Sequence, residues 1–255
     1  MKVYKAYAKV NVFLKITGTR GNYHEIISRF IRLDNLYDEL LFLPKQDKEF
    51  KIIGNFSCTT TQNTIYKAYI ALKEATSSQA LEILMKKYAI DVKKSIPAFA
   101  GLGGGSSDAA TYLKMCNDRL NLGLTLEELA TIGLKVGADV PFFIYGYKSA
   151  NVAGIGEIVE EFKEELLDIE TYTPKIEIST PKVYSIYRER FFNPISKEET
   201  LKLKSTPSKD ILNTMTPTEA NDLFTPALYE YKELKQHHKK SFHFSGSGSS
   251  FFRVS

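Results

Sequence analysis

Residues 97–111 read PAFAGLGGGSSDAAT, and four of the five residues from Gly101 to Gly105 are glycine. Glycine loses more backbone freedom on folding than any other residue, so this density is unfavourable unless the fold needs bare backbone at that point. The residues from Ser106 to Leu120 follow with small and apolar side chains at helical spacing, which predicts a helix that begins beside the glycines. Because a helix N-terminus presents unpaired N–H groups and a partial positive charge, the stretch predicts a phosphate-binding loop.

Two common nucleotide-binding patterns do not fit this loop. No Gly-Lys-Ser or Gly-Lys-Thr follows the glycines, which excludes a Walker A loop, and Ser106 stands where a G-x-G-x-x-G motif has its third glycine. The alternative to phosphate binding is a flexible turn that caps an ordinary helix. The glycines, the paired serines and the alanines after them favour phosphate, since small residues allow a ligand to approach the helix closely.

The N-terminal residues predict a half-buried strand. Apolar residues occupy the even positions from Tyr4 to Leu14, whereas Lys9 and Asn11 lie among the odd positions. Side chains alternate across a strand, so Lys9 and Asn11 project from the same face and can converge on one object.

The remaining patterns predict further strands and helices and a change of composition beyond Tyr147. We expect a strand over Ile26–Leu43, helices over Thr64–Leu72, Ser78–Tyr88 and Ser106–Leu120, and a helix from the Thr125–Glu128 capping box. Further along, we expect an apolar strand at 141–145, a strand at 175–180, a final helix from Thr225 and a glycine turn between apolar runs at 242–255. The charged stretch Ser196–Asp210 predicts a mobile surface segment, for which a loop is favoured over the alternative of a lid. We place an N-terminal domain at residues 1–148 and a C-terminal domain at 149–255.

Composition predicts a folded protein with an ordinary core, at 255 residues and 43% hydrophobic content. The formal charge of +4 comes from 34 basic and 30 acidic side chains and says little about partners. Cys58 and Cys116 have neither C-x-x-C spacing nor a nearby histidine pair, so we expect reduced thiols and no zinc site. With no secretory or transit segment and no long apolar run, we expect a cytoplasmic protein without membrane or nucleic-acid partners.

The glycine-rich stretch resembles the phosphate loop of the GHMP small-molecule kinases, whose pattern is approximately P-x-x-x-G-L-G-S-S-A-A. Residues 6–26, AYAKVNVFLKITGTRGNYHEI, resemble the opening A-x-A-K-x-N-L-x-L…R-x-D-G-Y-H-E of the branch that phosphorylates 4-diphosphocytidyl-2-C-methyl-D-erythritol, apart from the missing Asp-Gly before Tyr23. Further matches to that branch follow in order over nearly the whole chain: QNTIYKA at 62–68, Lys94 before IP, GADVPFF at 137–143, GIGEIV at 154–159, STPKVY at 179–184, NDLF at 221–224 and SGSGSS at 245–250.

The resemblance implies an α+β fold of two domains, an N-terminal domain similar to the second domain of ribosomal protein S5 and a ferredoxin-like C-terminal domain, with the site between them. It implies ATP and Mg²⁺ as cofactors and transfer of a phosphoryl group to the 2-hydroxyl of the cytidine substrate, a step toward isoprenoid precursors. We expect a monomer or a weak homodimer.

The same resemblance implies roles for individual residues. Asp139 would accept the hydroxyl proton, and Lys9 would stabilise negative charge during transfer. Substrate would contact Asn11, Tyr23, His24, Thr180 and Tyr184. ATP would contact Asn63, Lys94, Pro97, Ala98, Phe99, Ala100, Gly101, Leu102, Gly103, Gly104, Gly105, Ser106, Ser107 and Asp108.

Without the resemblance, each role has an ordinary alternative. Asp139 could be a turn aspartate, Lys9 a lysine on a solvated strand face, Tyr23 a core residue and His24 a structural histidine. Two rival functions also stay open: a GHMP kinase of the homoserine or mevalonate type, disfavoured by the A-K-x-N…Y-H opening, and a non-enzymatic RNA-binding protein, which leaves Lys9, Asp139 and the loop unexplained.

Overall fold

The computed structural model describes residues 1–239 and 241–255, and the chain divides into two compact units. Unit 1 comprises Met1–Ala8, Asp34–Ile96 and Gly103–Gly146, and unit 2 comprises Lys9–Leu33, Pro97–Leu102 and Tyr147–Ser255. Each unit is assembled from separate segments, so the two long N-terminal strands contribute to both. The sequence-based division at 148/149 stays a prediction.

The strands are β1 (Tyr4–Arg20), β2 (Tyr23–Pro44), β3 (Ile52–Ile53), β4 (Tyr88–Lys93), β5 (Ser149–Gly154), β6 (Ile158–Glu161), β7 (Ile169–Tyr172), β8 (His243–Phe244) and β9 (Phe251–Val254). The helices are α1 (Thr64–Thr76), α2 (Gln79–Lys87), α3 (Gly104–Leu120), α4 (Leu126–Leu134), α5 (Val140–Tyr145), α6 (Thr180–Ile186), α7 (Lys197–Ser205), α8 (Ser208–Thr214), α9 (Pro217–Ala220), α10 (Phe224–Glu230) and α11 (Leu234–His237). A 3₁₀ turn spans Thr60–Gln62 and a π-helical turn spans Tyr187–Phe191.

Unit 1 combines helices with one edge of a sheet. Strand β4 pairs antiparallel with the later part of β2, with Glu39 opposite Lys93, and β3 pairs in parallel with β4. The helices predicted at 64–72, 78–88 and 106–120 are confirmed. The predicted inner face of α3 is also confirmed, because Ala109, Ala110, Leu113 and Cys116 are all buried. The predicted capping box begins α4, where the Glu128 N–H donates to Thr125 Oγ1 at 3.2 Å.

Unit 2 contains a second sheet and most of the short helices. The earlier part of β2 pairs antiparallel with β5, and β6 pairs antiparallel with β5. Strands β7, β9 and β8 form an antiparallel sheet in that order, with the predicted glycine turn between β8 and β9. One hydrophobic cluster of unit 2 consists of Leu14, Ile16, Ile26, Ile178, Val183, Tyr187, Leu223, Phe224, Ala227, Leu234, Phe242, Phe244 and Phe251.

The strand predicted at residues 141–145 is wrong, because these residues form helix α5. A short apolar run does not distinguish a buried strand from a buried helix, and residues 140–144 are buried on all sides. A proline and a glycine at the two ends of the run are typical of a helix. Pro141 lies in the first turn, where its missing N–H costs nothing, and Gly146 ends the helix with φ +74°.

The strand predicted at 175–180 is also wrong, since β7 lies earlier, at Ile169–Tyr172, where it pairs with β9. The apolar residues that alternate with polar ones at 175–180 are packed against the hydrophobic cluster, but their backbone does not pair with a strand. Ile178 belongs to the hydrophobic cluster and Ile176 packs against it, while Ser179 precedes α6.

The loop predicted over Ser196–Asp210 is wrong, because α7 and α8 occupy most of it. Helix α7 begins with a capping box, in which the Glu199 N–H donates to Ser196 Oγ at 3.1 Å. Its end is held by Arg29 of β2, whose guanidinium donates to the Lys204 carbonyl at 2.9 Å. None of the residues of α7 is buried, so the hydrogen bonds at its two ends contribute to holding it in place.

Two smaller expectations also change. The helix expected from Thr225 begins one residue earlier, at Phe224, and α11 follows it. Strand β1 is not half-buried around its middle, because the odd-numbered Lys9, Asn11 and Phe13 are no more than 3% exposed. Within the described ranges, no helix combines the length and the hydrophobicity that crossing a membrane requires.

Candidate active site

The first part of the glycine-rich loop lies in unit 2 and is held by the C-terminal glycine turn. Gly101 has φ +71°, and a Cβ there would lie 2.2 Å from the Ser245 carbonyl oxygen, so only glycine fits. The Ser250 N–H donates to the Ala100 carbonyl at 3.1 Å. Of the predicted ATP-contacting residues in this part, Pro97, Ala98 and Phe99 are exposed, and Ala100 and Leu102 are buried.

The second part of the loop starts helix α3 in unit 1. Gly103 precedes the helix with φ +74°, and the Ser107 N–H makes an intrahelical bond to the Gly103 carbonyl at 2.9 Å. The N–H groups of Gly104, Gly105 and Ser106 therefore occupy the positions for which a helix has no acceptor of its own. The predicted geometry of a phosphate-binding helix start is present.

Asp139 lies in unit 1, directly before α5, and its carboxylate makes no capping hydrogen bond to that helix. The turn that carries it packs against the start of α3, since a Cβ on Gly137 would lie 3.5 Å from Ser106 Oγ. The side chain is half-buried. The structure thus brings the predicted proton acceptor and the predicted phosphate-binding helix start together in one unit.

Lys9 and Asn11 share a face of β1, as predicted. The Lys9 ammonium donates to Asn11 Oδ1 at 2.7 Å and to the Gly101 carbonyl at 3.0 Å, and it lies 4.6 Å from the centre of the Phe30 ring. Only 3% of Lys9 is exposed, which excludes the alternative of a lysine on a solvated face. It is an oriented ammonium beside the glycine-rich loop.

Lys94 and Asp108 form a buried cluster in unit 1 with Asp38, which the sequence did not single out. The Lys94 ammonium contacts Asp38 Oδ2 at 2.5 Å and Asp108 Oδ2 at 2.7 Å. Burial lowers the pKa of Lys94, but the two carboxylates outweigh it and the pKa lies above its ordinary value. Burial raises the pKa of Asp108 to about 7, against the opposing effect of Lys94.

Asn63, predicted to contact ATP, caps helix α1. Its Oδ1 accepts the Ile65 N–H at 2.9 Å, and the neighbouring Thr64 Oγ1 donates to the Gly105 carbonyl at 2.6 Å. The start of α1 therefore lies against the glycine-rich part of unit 1.

The predicted cytidine-contacting residues lie in unit 2. The rings of His24 and Tyr184 are 5.1 Å apart and tilted by 32°, and Tyr23 is 66% exposed. Burial, with a smaller effect of Arg188, lowers the pKa of His24, so its ring is neutral at physiological pH. Thr180 contacts Ser247 of the C-terminal glycine turn, with 2.6 Å between the hydroxyl oxygens.

Three residues beside these side chains were not predicted as site residues. Asp38 holds Lys94, Ser28 contacts Asn11, and Ser245 Oγ donates to the Gly101 carbonyl at 3.1 Å. No sequence signal distinguishes Ser28 and Asp38 from the other polar residues of β2, such as Glu25, Arg29 and Asn35. Ser245 belongs to the SGSGSS match, for which the resemblance implies no role.

A separate cavity of about 740 Å³ lies in unit 2, and none of the predicted site residues lines it. Its wall includes Lys15, which forms an ion pair with Asp222. In the described part of the chain, no group of three or more His, Cys, Asp and Glu side chains is arranged to hold a metal ion.

Comparison with known proteins identifies the family. Residues 63–147 match the GHMP kinases N terminal domain. The chain is 67% identical to a 4-diphosphocytidyl-2-C-methyl-D-erythritol kinase of Sulfurimonas denitrificans, over 100% of this chain and 97% of that protein, and 41% identical to one of Campylobacter jejuni, over 98% and 99%. A crystal structure of 4-(cytidine 5'-diphospho)-2C-methyl-D-erythritol kinase superposes with a TM-score of 0.74 at 28% identity, over 100% of this chain and 90% of that one. The predicted mixed α and β GHMP kinase fold is confirmed, and the chain belongs to the 4-diphosphocytidyl-2-C-methyl-D-erythritol kinase family.

Proposed function

We propose that this kinase transfers the terminal phosphoryl group of ATP to the 2-hydroxyl of 4-diphosphocytidyl-2-C-methyl-D-erythritol, giving the 2-phosphate and ADP in the methylerythritol phosphate route to isoprenoid precursors. The observation that carries the proposal is the 67% identity over the whole chain to a kinase of that name. The aligned region covers both segments on which the motif assignments depend, residues 6–26 and 97–111. The homoserine or mevalonate alternative and the RNA-binding alternative are not favoured.

The phosphates of ATP bind the glycine-rich loop in this proposal. The N–H groups of Gly104, Gly105 and Ser106 point along the start of α3, where the helix dipole favours an anion. Asn63, Lys94 and Asp108 shape the neighbouring wall for the adenosine half, with Lys94 held between its two carboxylates. The residues from Pro97 to Leu102 complete the loop.

Asp139 accepts the proton of the substrate hydroxyl, and Lys9 stabilises the negative charge that develops on the transferred group. Phosphoryl transfer depends mainly on positioning and charge stabilisation, so an ammonium fixed by two acceptors is well suited to this role. Mg²⁺ supplies further neutralisation of the phosphate charge. Mg²⁺ commonly needs few protein ligands when phosphates are present, and the Ser106 hydroxyl is the side chain that would hold it.

The cytidine end of the substrate binds in unit 2. Tyr23 and Tyr184 stack on the cytosine, and neutral His24 offers a ring nitrogen to its edge. The Nε2 atom of His24 is buried and has no hydrogen-bond partner among residues 1–239 and 241–255, which fits a group reserved for a ligand. Asn11 and Thr180 contact the sugar-phosphate portion.

The setting of the enzyme is part of the same proposal. Cys58 and Cys116 are free thiols, which fits a reducing cytoplasm, where ATP is also available. We propose a cytoplasmic monomer or weak homodimer.

Mass spectrometry of the cytidine substrate after incubation with ATP and Mg²⁺ tests the proposal. The native protein is expected to add the mass of one phosphate. Asp139→Asn preserves the size and shape of the side chain but removes the proton acceptor, so it is expected to bind ATP and turn over about 100- to 10,000-fold more slowly. If native protein binds ATP but leaves the substrate mass unchanged while phosphorylating homoserine or mevalonate, the proposed acceptor is wrong.

A further inference from the structure

A line of buried hydrogen bonds joins Ser28 on β2 to Lys9 on β1, and all of it lies in unit 2. Asn11 Nδ2 donates to Ser28 Oγ at 2.9 Å, and the Lys9 ammonium donates to Asn11 Oδ1 at 2.7 Å. Ser28 Oγ itself donates to the Phe13 carbonyl. We propose that Ser28 is a positioning residue for phosphoryl transfer, because it fixes the Asn11 amide that directs the Lys9 ammonium. This inference rests on the role of Lys9 in the proposed function.

The direction of every hydrogen bond in the line follows from chemistry. An ammonium has only donors, so the oxygen of the Asn11 amide must face Lys9. The amide nitrogen then faces Ser28 and needs an acceptor there. Ser28 can accept because its own proton goes to the Phe13 carbonyl. A serine hydroxyl at this position therefore selects one of the two orientations of the Asn11 amide, the one that presents oxygen to Lys9.

Burial makes the hydroxyl hard to replace. Ser28 is 0% exposed, Asn11 1% and Lys9 3%, so solvent does not reach the line. Removing the Ser28 hydroxyl leaves the Asn11 amide nitrogen without its acceptor in a dry site, where an unmet donor is unfavourable. The available response is a shift of the amide away from its present position, and such a shift weakens the hydrogen bond that its oxygen accepts from Lys9.

The far end of the line is the glycine-rich loop. The Gly101 carbonyl accepts both from Lys9 Nζ at 3.0 Å and from Ser245 Oγ at 3.1 Å. Gly101 packs closely against the Ser245 backbone, since a Cβ placed on it would lie 2.2 Å from the Ser245 carbonyl oxygen. The Asn11 amide oxygen and the Gly101 carbonyl thus orient the Lys9 ammonium. Ser28 controls one of these two acceptors through Asn11.

A double-mutant cycle between Ser28→Ala and Lys9→Met separates positioning from ordinary structural support. In the native background, Ser28→Ala is expected to lower kcat about 10- to 100-fold, because small displacements of a catalytic group are costly, and to change KM for ATP by less than about 3-fold. In the Lys9→Met background, the same substitution is expected to change kcat by less than about 2-fold, since the group to be positioned is gone. Ser28→Thr keeps the hydroxyl and is expected to retain most of the native kcat.

Ser208→Ala is the matched control. Ser208 is also 0% exposed in unit 2, and its hydroxyl contacts Glu164 at 2.7 Å rather than the line to Lys9. We expect a lower melting temperature with kcat within about 2-fold of native. The control shows how much turnover responds to loss of a buried hydroxyl in general.

The outcomes are distinguishable. Equal loss of kcat from Ser28→Ala in both backgrounds, or no loss in the native background, overturns the positioning role while leaving the proposed function intact. If Lys9→Met alone keeps native kcat, the role of Lys9 is wrong and the positioning role falls with it. If native protein does not phosphorylate the cytidine substrate, the proposed function itself is wrong.

Discussion

Two buried lysines, one in each unit, are held in different ways. Lys94 in unit 1 donates to the carboxylates of Asp38 and Asp108 at 2.5 and 2.7 Å. Lys9 in unit 2 donates to two neutral oxygens, the Asn11 amide oxygen and the Gly101 carbonyl. Two carboxylates neutralise the Lys94 charge inside unit 1, whereas the oxygens of Asn11 and Gly101 orient the Lys9 ammonium at the glycine-rich loop. We therefore expect Lys94 to contribute mainly to stability, and we expect Lys9, in the proposed function, to contribute mainly to turnover.

Replacing Lys94 is expected to have the largest effect, which is a loss of stability. Lys94→Met leaves the carboxylates of Asp38 and Asp108 side by side without their cation, and breaking a buried ion pair in this way costs about 3–5 kcal/mol. For a chain of this size the melting temperature should fall by roughly 10 °C. Thermal unfolding followed by circular dichroism measures it.

The neighbouring residue provides the control for Lys94. The side chain of Lys93 is 78% exposed and pairs with Glu39 at 3.2 Å, so Lys93→Met is expected to shift the melting temperature by no more than about 1–3 °C. An unchanged melting temperature for Lys94→Met, together with weakened ATP binding, would contradict the structural assignment of Lys94.

Replacing Lys9 is expected to act on turnover more than on stability. Lys9→Met keeps most of the side-chain volume but removes the charge that stabilises the transferred group, so kcat should fall about 100- to 1,000-fold, equivalent to about 2.7–4 kcal/mol. Lys5→Met, an exposed lysine on the same strand, should stay within about 2-fold of native. Steady-state kinetics with both substrates measures it. A native kcat for Lys9→Met would remove the contrast between the two lysines.

The smallest effect concerns the acid beside Lys94. The pKa of Asp108 rises from 3.8 to about 7 in the folded protein, so between these pH values the folded state binds more protons than the unfolded state. Native stability contributed by this group is therefore present at low pH and lost as the pH rises toward 7. Asp108→Asn does not titrate.

The melting temperature of Asp108→Asn relative to native should consequently increase by roughly 5–10 °C between pH 5 and pH 8. Asp118→Asn serves as the control, because the Asp118 side chain is 58% exposed. A difference that is constant with pH would show that Asp108 stays ionised through this range, as a permanent partner of Lys94.

Local signals in the sequence predicted the elements they begin. The glycine run before α3 and the Thr125–Glu128 capping box both mark helix starts through short-range hydrogen bonds, and both were recognised. The same kind of box begins α7 at Ser196–Glu199, but the charged residues that follow it are also typical of a surface loop. The strand predicted within the helix at 140–145 is wrong because a run of only apolar residues shows neither the two-residue period of a strand nor the 3.6-residue period of a helix.

The candidate site divides in the same way. The motif residues Lys9, Asn11 and Asp139 were identified from local patterns and family resemblance. Their supporting partners were not, since Ser28 is 17 residues from Asn11 in the chain and Asp38 is 56 residues from Lys94. Such pairs form only when strands bring distant positions together, and a single sequence carries no periodic signal of which polar residues will meet.

Phosphorus NMR of the reaction product, recorded with proton coupling, tests the central claim most directly. Carbon 2 of the substrate carries a methyl group and no hydrogen, so a phosphate on the 2-hydroxyl gives a phosphomonoester resonance without splitting from a carbon-bound proton. The account predicts this unsplit resonance from native protein, ATP and Mg²⁺. A doublet or a triplet would place the phosphate on the 3- or the 1-hydroxyl, and either result would contradict the proposed reaction.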